Sequence, residues 1–73
     1  MKEYKLSKAS KKSGLKQDDF ILFYIICGYI RKEAYGYSAT ALGIEKGCVV
    51  NDKNNNALFT IESIIRISDA FAA

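Results

Sequence analysis

Residues 47–61, GCVVNDKNNNALFTI, decide the fold, because they admit two conformations. In the first, Gly47 to Asp52 forms the body of a helix and Asn54 to Asn56 its end. In the second, residues 48–50 and 57–61 are strands joined by the polar run NDKNNN. Asn and Asp favour turns because their side chains bond nearby backbone and tolerate left-handed φ, and three consecutive asparagines suit no helix. The flanks are β-branched and aromatic, which fits a half-buried strand. Gly47, Val49 and Val50 lower helix propensity. The case for the helix rests on what surrounds the stretch.

Upstream, Ala39, Gly43 and Val49 stand four and six residues apart, with Leu42 and Ile44 beside the glycine. In a helix-turn-helix frame that opens at Tyr35, Ala39 is the small residue where two helices touch. Gly43 is then the turn residue with a left-handed backbone. Val49 faces the core from the second helix, and Leu42 and Ile44 fill the remaining core slots. Asp52, at the last position of the frame, departs from the apolar residue expected there. Tyr35-Gly36-Tyr37 reads as a turn, and Ser38 as the cap of a short helix. Downstream, Thr60 is a good N-cap and Glu62 sits in the first turn. Ile61, Ile64, Ile65, Ile67 and Phe71 give the run TIESIIRISDAF one apolar face, so a helix closes the chain. That face packs in the core or serves as a dimer seam.

Residues 43–71 together resemble the C-terminal half of the lambda-repressor-like family (Cro/C1, or Xre-type). TIESIIRISDAF is similar to the family's segment S-L-E-T-L-L-K-I-A-D-A-L, and Asn55 falls where the family has the glycine that ends its reading helix. KKSGLKQDDF, residues 11–20, resembles the family's join between first and second helices. The two matches cannot share the ordinary register, since the chain between them is about seventeen residues too long. FILFYIICGYIRKEAYG is therefore an insertion, or it replaces the first helix and residues 1–19 are an extra basic arm or helix; the second is preferred. The resemblance implies a mainly α, helix-turn-helix domain over 20–73. It also implies a dimeric transcriptional repressor of double-stranded DNA, of the kind carried by phages and mobile elements. Glu45, Lys46, Gly47, Val50 and Asn51 would face the major groove, with Asn51 on an adenine edge and Lys46 on a guanine or a phosphate. Lys53, Asn54 and the arm lysines Lys5, Lys8, Lys12 and Lys16 would hold phosphates. With a hairpin at about 48–61 the fold is instead α+β. The chain is then winged-helix-like with its hairpin in the minor groove, or a small protein that binds and modulates another protein and no DNA.

Composition sets the limits. Seventy-three residues make one domain with a small core, which favours association with a partner or a second copy. Apolar residues are 49% and charged residues 26%, a globular balance. The net charge is +3, but residues 1–16 carry +5 and residues 17–73 carry −2, so a basic end is set to meet an anionic surface. Gly14 and the acidic pair Asp18-Asp19 mark a helix end and a helix start. Phe20 to Ile30, FILFYIICGYI, is uncharged and too short to span a bilayer, which needs ~20 residues. Asp18 and Asp19 before it and Arg31-Lys32-Glu33 after it argue against a signal segment and for a buried helix from Asp18 to about Glu33. Gly28 is then a close-packing point, and Tyr24, Tyr29, Tyr35 and Tyr37 are packing residues. Cys27 and Cys48 without any histidine exclude a conventional zinc finger and fit reduced thiols in a cytoplasmic protein. The carboxylates are scattered, and no nucleophile stands beside a base. No enzyme, cofactor, metal or membrane role is expected.

Overall fold

Residues 47–61 form a hairpin, and with it the mainly α expectation is corrected to α+β. The computed structural model describes residues 2–72. Its elements are β1 (Glu3–Tyr4), α1 (Leu6–Ser13), α2 (Gln17–Cys27), β2 (Ile30–Glu33), β3 (Gly36–Ala39), α3 (Ala41–Glu45), β4 (Val49–Asn51), β5 (Ala57–Thr60) and α4 (Ile61–Ala72). Two antiparallel sheets result, one ordered β1-β5-β4 and the other the hairpin β2-β3.

Turn chemistry explains why the hairpin wins over the helix. The Asp52 carboxylate accepts from the backbone N–H of Asn54 at 2.8 Å and of Asn56 at 2.9 Å. The Asp52 N–H closes the loop on the Asn56 carbonyl at 2.9 Å, and the Asn55 N–H reaches the Asp52 carbonyl at 3.0 Å. Asn55 has φ 64, the left-handed conformation that Asn tolerates better than other non-glycine residues. The strands then register Val49 with Phe59, Val50 with Leu58 and Asn51 with Ala57. Val49, Ala57 and Phe59 point into the core, so a helix here would have exposed what the hairpin buries.

The helix-turn-helix frame dissolves for the same reason. Ala39 ends a strand, and Thr40, not Ser38, caps α3 by accepting the Gly43 N–H at 3.1 Å. Gly43 lies inside α3 and is not left-handed. Its glycine identity has a different cause. A Cβ there would collide with the Tyr29 carbonyl and with Val49 Cγ2, so the position is a close approach between α3 and the chain behind it. Gly47, which the helix would have carried in its interior, takes φ 71 and turns the chain into β4.

The helix expected from Asp18 to Glu33 stops at Cys27. Gly28 adopts φ 79 as a left-handed C-cap, and its N–H returns to the Ile25 and Tyr24 carbonyls. It is a terminator and not a mid-helix packing point. The chain then forms β2-β3, pairing Ile30 with Ala39 and Glu33 with Gly36. Asn51 joins this hairpin to the main sheet. Its Oδ1 accepts the Ala39 N–H at 2.7 Å, and its Nδ2 donates to the Ala39 carbonyl at 3.5 Å. A side-chain amide thus stands in for a peptide group between β3 and β4.

The N-terminal stretch is built into the same core. β1 pairs Glu3 with Thr60 and Tyr4 with Phe59. Ala9 of α1 is fully buried, together with Ser10 and Ser13. Gly14 ends α1 with φ 79, as its position after the lysine run suggested. At the centre, Phe20, Tyr24 and Phe59 stack edge to face or tilted, with ring centroids 4.8–5.0 Å apart. Ile64 and Ile67 of α4 close this core while Ile65 stays exposed. Most of the described part of the expected α4 face is therefore spent inside the molecule. Phe71, expected to complete that face, falls outside the described side chains.

Candidate functional site

The most pronounced chemical feature is the outward side of α1. Inward it buries the small groups Ala9, Ser10 and Ser13 and packs the half-buried Leu6 against the core, and it lies against α2 and α4. The two serines satisfy themselves locally, Ser10 Oγ donating to the Ser7 carbonyl at 3.0 Å and Ser13 Oγ to the Ser10 carbonyl at 2.7 Å. Outward it carries Lys8, Lys11 and Lys12, with Lys5 at its start and Lys16 just past its end, all exposed. The Lys12 ammonium lies 4.7 Å from the centroid of the Tyr4 ring and the Lys8 ammonium 6.0 Å, the range of cation–π attraction. Tyr4 thus gathers two of the lysines. It stands four and eight residues before them, a spacing that could have pointed to it in the sequence.

Among the described residues the ion pair found is Arg31 Nε to Glu33 Oε1 at 2.8 Å, on β2. The lysines of α1 have no carboxylate of a described residue within ion-pair distance. Asp69 shares a hollow with Lys12, Ile61, Ile64, Ile65 and Ser68 without closing on the ammonium. The result is a row of like charges without an ion pair among the described residues.

The other residues expected to touch DNA divide into three places. Glu45 and Lys46 are exposed at the end of α3, followed by Gly47 in its left-handed turn. Val50 is half-buried in β4, and the Asn51 amide is committed to Ala39. Lys53 and Asn54 sit exposed at the hairpin tip. A single reading helix over these residues is ruled out, since β4 carries Gly47 and the tip at its opposite ends. The structure does bring the tip to the lysine helix. Lys5, Tyr37, Asp52, Asn54 and Asn56 line one open hollow of about 300 Å³. The β2-β3 tip is tied to the β4-β5 tip through Tyr35, whose hydroxyl accepts from Asn55 Nδ2 at 3.0 Å.

Cys27 and Cys48 line a second hollow of about 200 Å³ with Phe23, Tyr24, Tyr29, Ser63, Arg66 and Ile67. Both thiols are free. Burial, and secondarily Cys48, pushes the Cys27 thiol up, which disfavours the reactive thiolate. The Tyr24 hydroxyl meets Ser63 Oγ at 2.6 Å. Ser63 can donate its one proton to the Cys48 carbonyl at 2.9 Å, and Tyr24 is then the donor to Ser63. The Tyr24 and Ser63 hydroxyls on the wall of this hollow are therefore satisfied within the molecule. Among the described residues, no group of three or more Cys, Asp or Glu side chains is placed to hold a metal ion. No described helix is long and apolar enough to cross a membrane. No protein-family model, curated protein or solved structure matches this chain.

Proposed function

We propose that the chain is a small non-catalytic protein that binds the phosphate backbone of double-stranded DNA through α1 and its flanks. The observation that carries this is the lysine row Lys5, Lys8, Lys11, Lys12 and Lys16, exposed and without a carboxylate partner among the described residues. An eight-residue helix is about 12 Å long, and duplex DNA carries one charge per ~1.7 Å of axis over both strands. The row therefore faces some three or four phosphates of the nearer strand. Lysine is suited to this as a point charge on a flexible stem.

Contact of this kind positions a protein on DNA without reading its sequence. The β4-β5 tip beside Lys5 is the element available to enter a groove, with Lys53 and Asn54 at its end. Its role is the wing-like one, in the minor groove, where readout is limited to A·T against G·C. A regulator built this way acts through occupancy and shape more than through base recognition.

Fluorescence anisotropy with a labelled random-sequence duplex at low salt tests the proposal. Binding is expected, and Lys8→Gln with Lys12→Gln should weaken it at least tenfold while circular dichroism stays unchanged. Replacing Lys53 and Asn54 with alanine should weaken it less. Absence of binding at low salt, or binding that ignores the α1 substitutions, contradicts the proposal.

A further inference from the structure

The open hollow between α1 and the two hairpin tips is lined by polar groups that the fold itself does not use. Its floor is apolar, made by the buried Ala57 and Phe59. Gly36, at φ 150, keeps the β2-β3 side of it bare, since a Cβ there would stand 3.9 Å from Asn56 Oδ1. Around the floor come Tyr37, Asp52, Asn54 and Asn56 from the tips and Lys5 from the start of α1. Asp52 Oδ1 is spent on the turn, where it accepts from the Asn54 and Asn56 N–H groups. Among the described residues, no hydrogen bond engages Asp52 Oδ2, the side-chain amides of Asn54 and Asn56 or the Tyr37 hydroxyl. The tips are tied to each other through Tyr35 and Asn55 instead. A volume of about 300 Å³ stands at the lower end of the range of small-molecule sites, with the same mixture of apolar floor and few convergent polar groups.

Donors and acceptors set around an apolar floor suit a flat ring with a polar edge. An Asn amide offers two N–H donors and an acceptor, Asp52 Oδ2 only accepts, and the Tyr37 hydroxyl does both. Every nucleobase answers this set, with N–H groups for the acceptors and carbonyl or ring-nitrogen atoms for the donors. Lys5 adds a cation at the rim, and it is also the first lysine of the exposed row on α1. We propose that the hollow holds one unstacked nucleotide, its base among Asn54, Asn56 and Tyr37 and its phosphate on Lys5. Repulsion by the Asp52 carboxylate keeps the phosphate toward Lys5 and the base toward the tips. Such a nucleotide comes from a bulged position of a DNA strand or from a free nucleoside monophosphate. The bulged position is favoured because Lys5 belongs to both the row and the hollow, and that choice of source rests on the phosphate-binding reading of α1. A paired base is excluded, because its edge is engaged and its faces are stacked, whereas an unpaired one enters at low cost.

Fluorescence anisotropy at low salt tests it with three labelled duplexes of one sequence: fully paired, with a one-nucleotide bulge, and with that bulge abasic. The bulged duplex should bind about tenfold tighter than the paired one, and the abasic bulge should lose most of that gain. Asn56→Ala and Tyr37→Phe should each reduce the gain, while binding of the paired duplex and the circular dichroism stay unchanged. In parallel, a nucleoside monophosphate at millimolar concentration is followed through the side-chain amide NMR signals of Asn54 and Asn56. Shifts there without any bulge gain would keep the nucleotide and assign it to solution. No bulge gain and no such shifts, or a gain that both the abasic bulge and Asn56→Ala retain, overturn the inference. Paired-duplex binding that persists in that case leaves the reading of α1 standing. Loss of all duplex binding with the monophosphate shifts intact condemns the reading of α1 alone.

Discussion

At Gly43 the backbone comes so close to Tyr29 that a methyl group has nowhere to go. The obstacles are a main-chain carbonyl and a β-branched side chain in the core, neither of which can swing aside. Gly43→Ala should therefore cost ~1–3 kcal/mol despite alanine's better helix propensity, and each kcal/mol should lower Tm by about 4–8 °C. A thermal melt in which the variant equals or exceeds the parent would contradict this packing. Tyr24 offers a test in pH. Burial raises its phenol above the usual ~10. The folded state therefore holds the proton longer than the unfolded one. Stability from this group is intact below pH ~10 and falls as pH rises past it, by up to ~1.4 kcal/mol per pH unit until the folded group ionises. Tyr24→Phe loses the bond to Ser63 and should be ~0.5–1.5 kcal/mol less stable at neutral pH. The gap should close above pH ~10, as urea titrations at several pH values would show, and a constant gap would argue against the buried phenol. Some single residues were legible in the sequence. Gly14 was expected to end a helix and does so in left-handed backbone, whereas Asn55, expected to end a reading helix, is left-handed in the turn of a hairpin. Gly43 was noticed for the wrong reason. A glycine needed for close approach and one needed for a left-handed turn look identical in one sequence, and only tertiary contact separates them.

The β4-β5 hairpin depends on one carboxylate more than on its three asparagines. Asp52→Ala removes the acceptor of two backbone N–H groups and should cost about 1–2 kcal/mol. Amide exchange should then quicken in β4 and β5 while α2 is less affected; uniform protection would mean the turn is held by its strands alone. This element also marks how far local pattern reaches. Valines, a polar turn and an aromatic flank were each visible, yet the spacing of Ala39, Gly43 and Val49 fitted a helix pair equally well. Partners distant in sequence decide between them, because β5 is held on its other edge by β1 and its Phe59 is locked between Phe20 and Tyr24. β1 itself is two residues long and has no signature of its own. α4 was legible from periodicity, since an amphipathic helix announces its own face. α2 was legible as a helix from its acidic start. Its expected end at Glu33 failed because a left-handed glycine cap outweighs the basic residues beyond it. Its exposed side was not legible, because a helix apolar all round gives no phase.

At the scale of the whole molecule, charge and apolar surface are kept apart. The core is small, and the lysines of α1 repel one another without an ion pair to a carboxylate among the described residues. An anion laid along α1 should therefore stabilise the fold as well as bind it. Tm should rise when short duplex DNA is added at low salt, and Lys8→Gln with Lys12→Gln should blunt that rise. The sequence alone showed the +5 excess at the N-terminal end but not that it lies on a helix fixed to the core. The salt dependence of duplex DNA affinity, followed by anisotropy between about 50 and 200 mM salt, tests the lysine row most directly. With about four phosphates neutralised, log affinity should fall against log salt with a slope near −3.5, an affinity loss of about 100-fold over that range. Lys8→Gln with Lys12→Gln should reduce the slope by about 2. A slope near zero, or one the two substitutions leave unchanged, would contradict binding through α1.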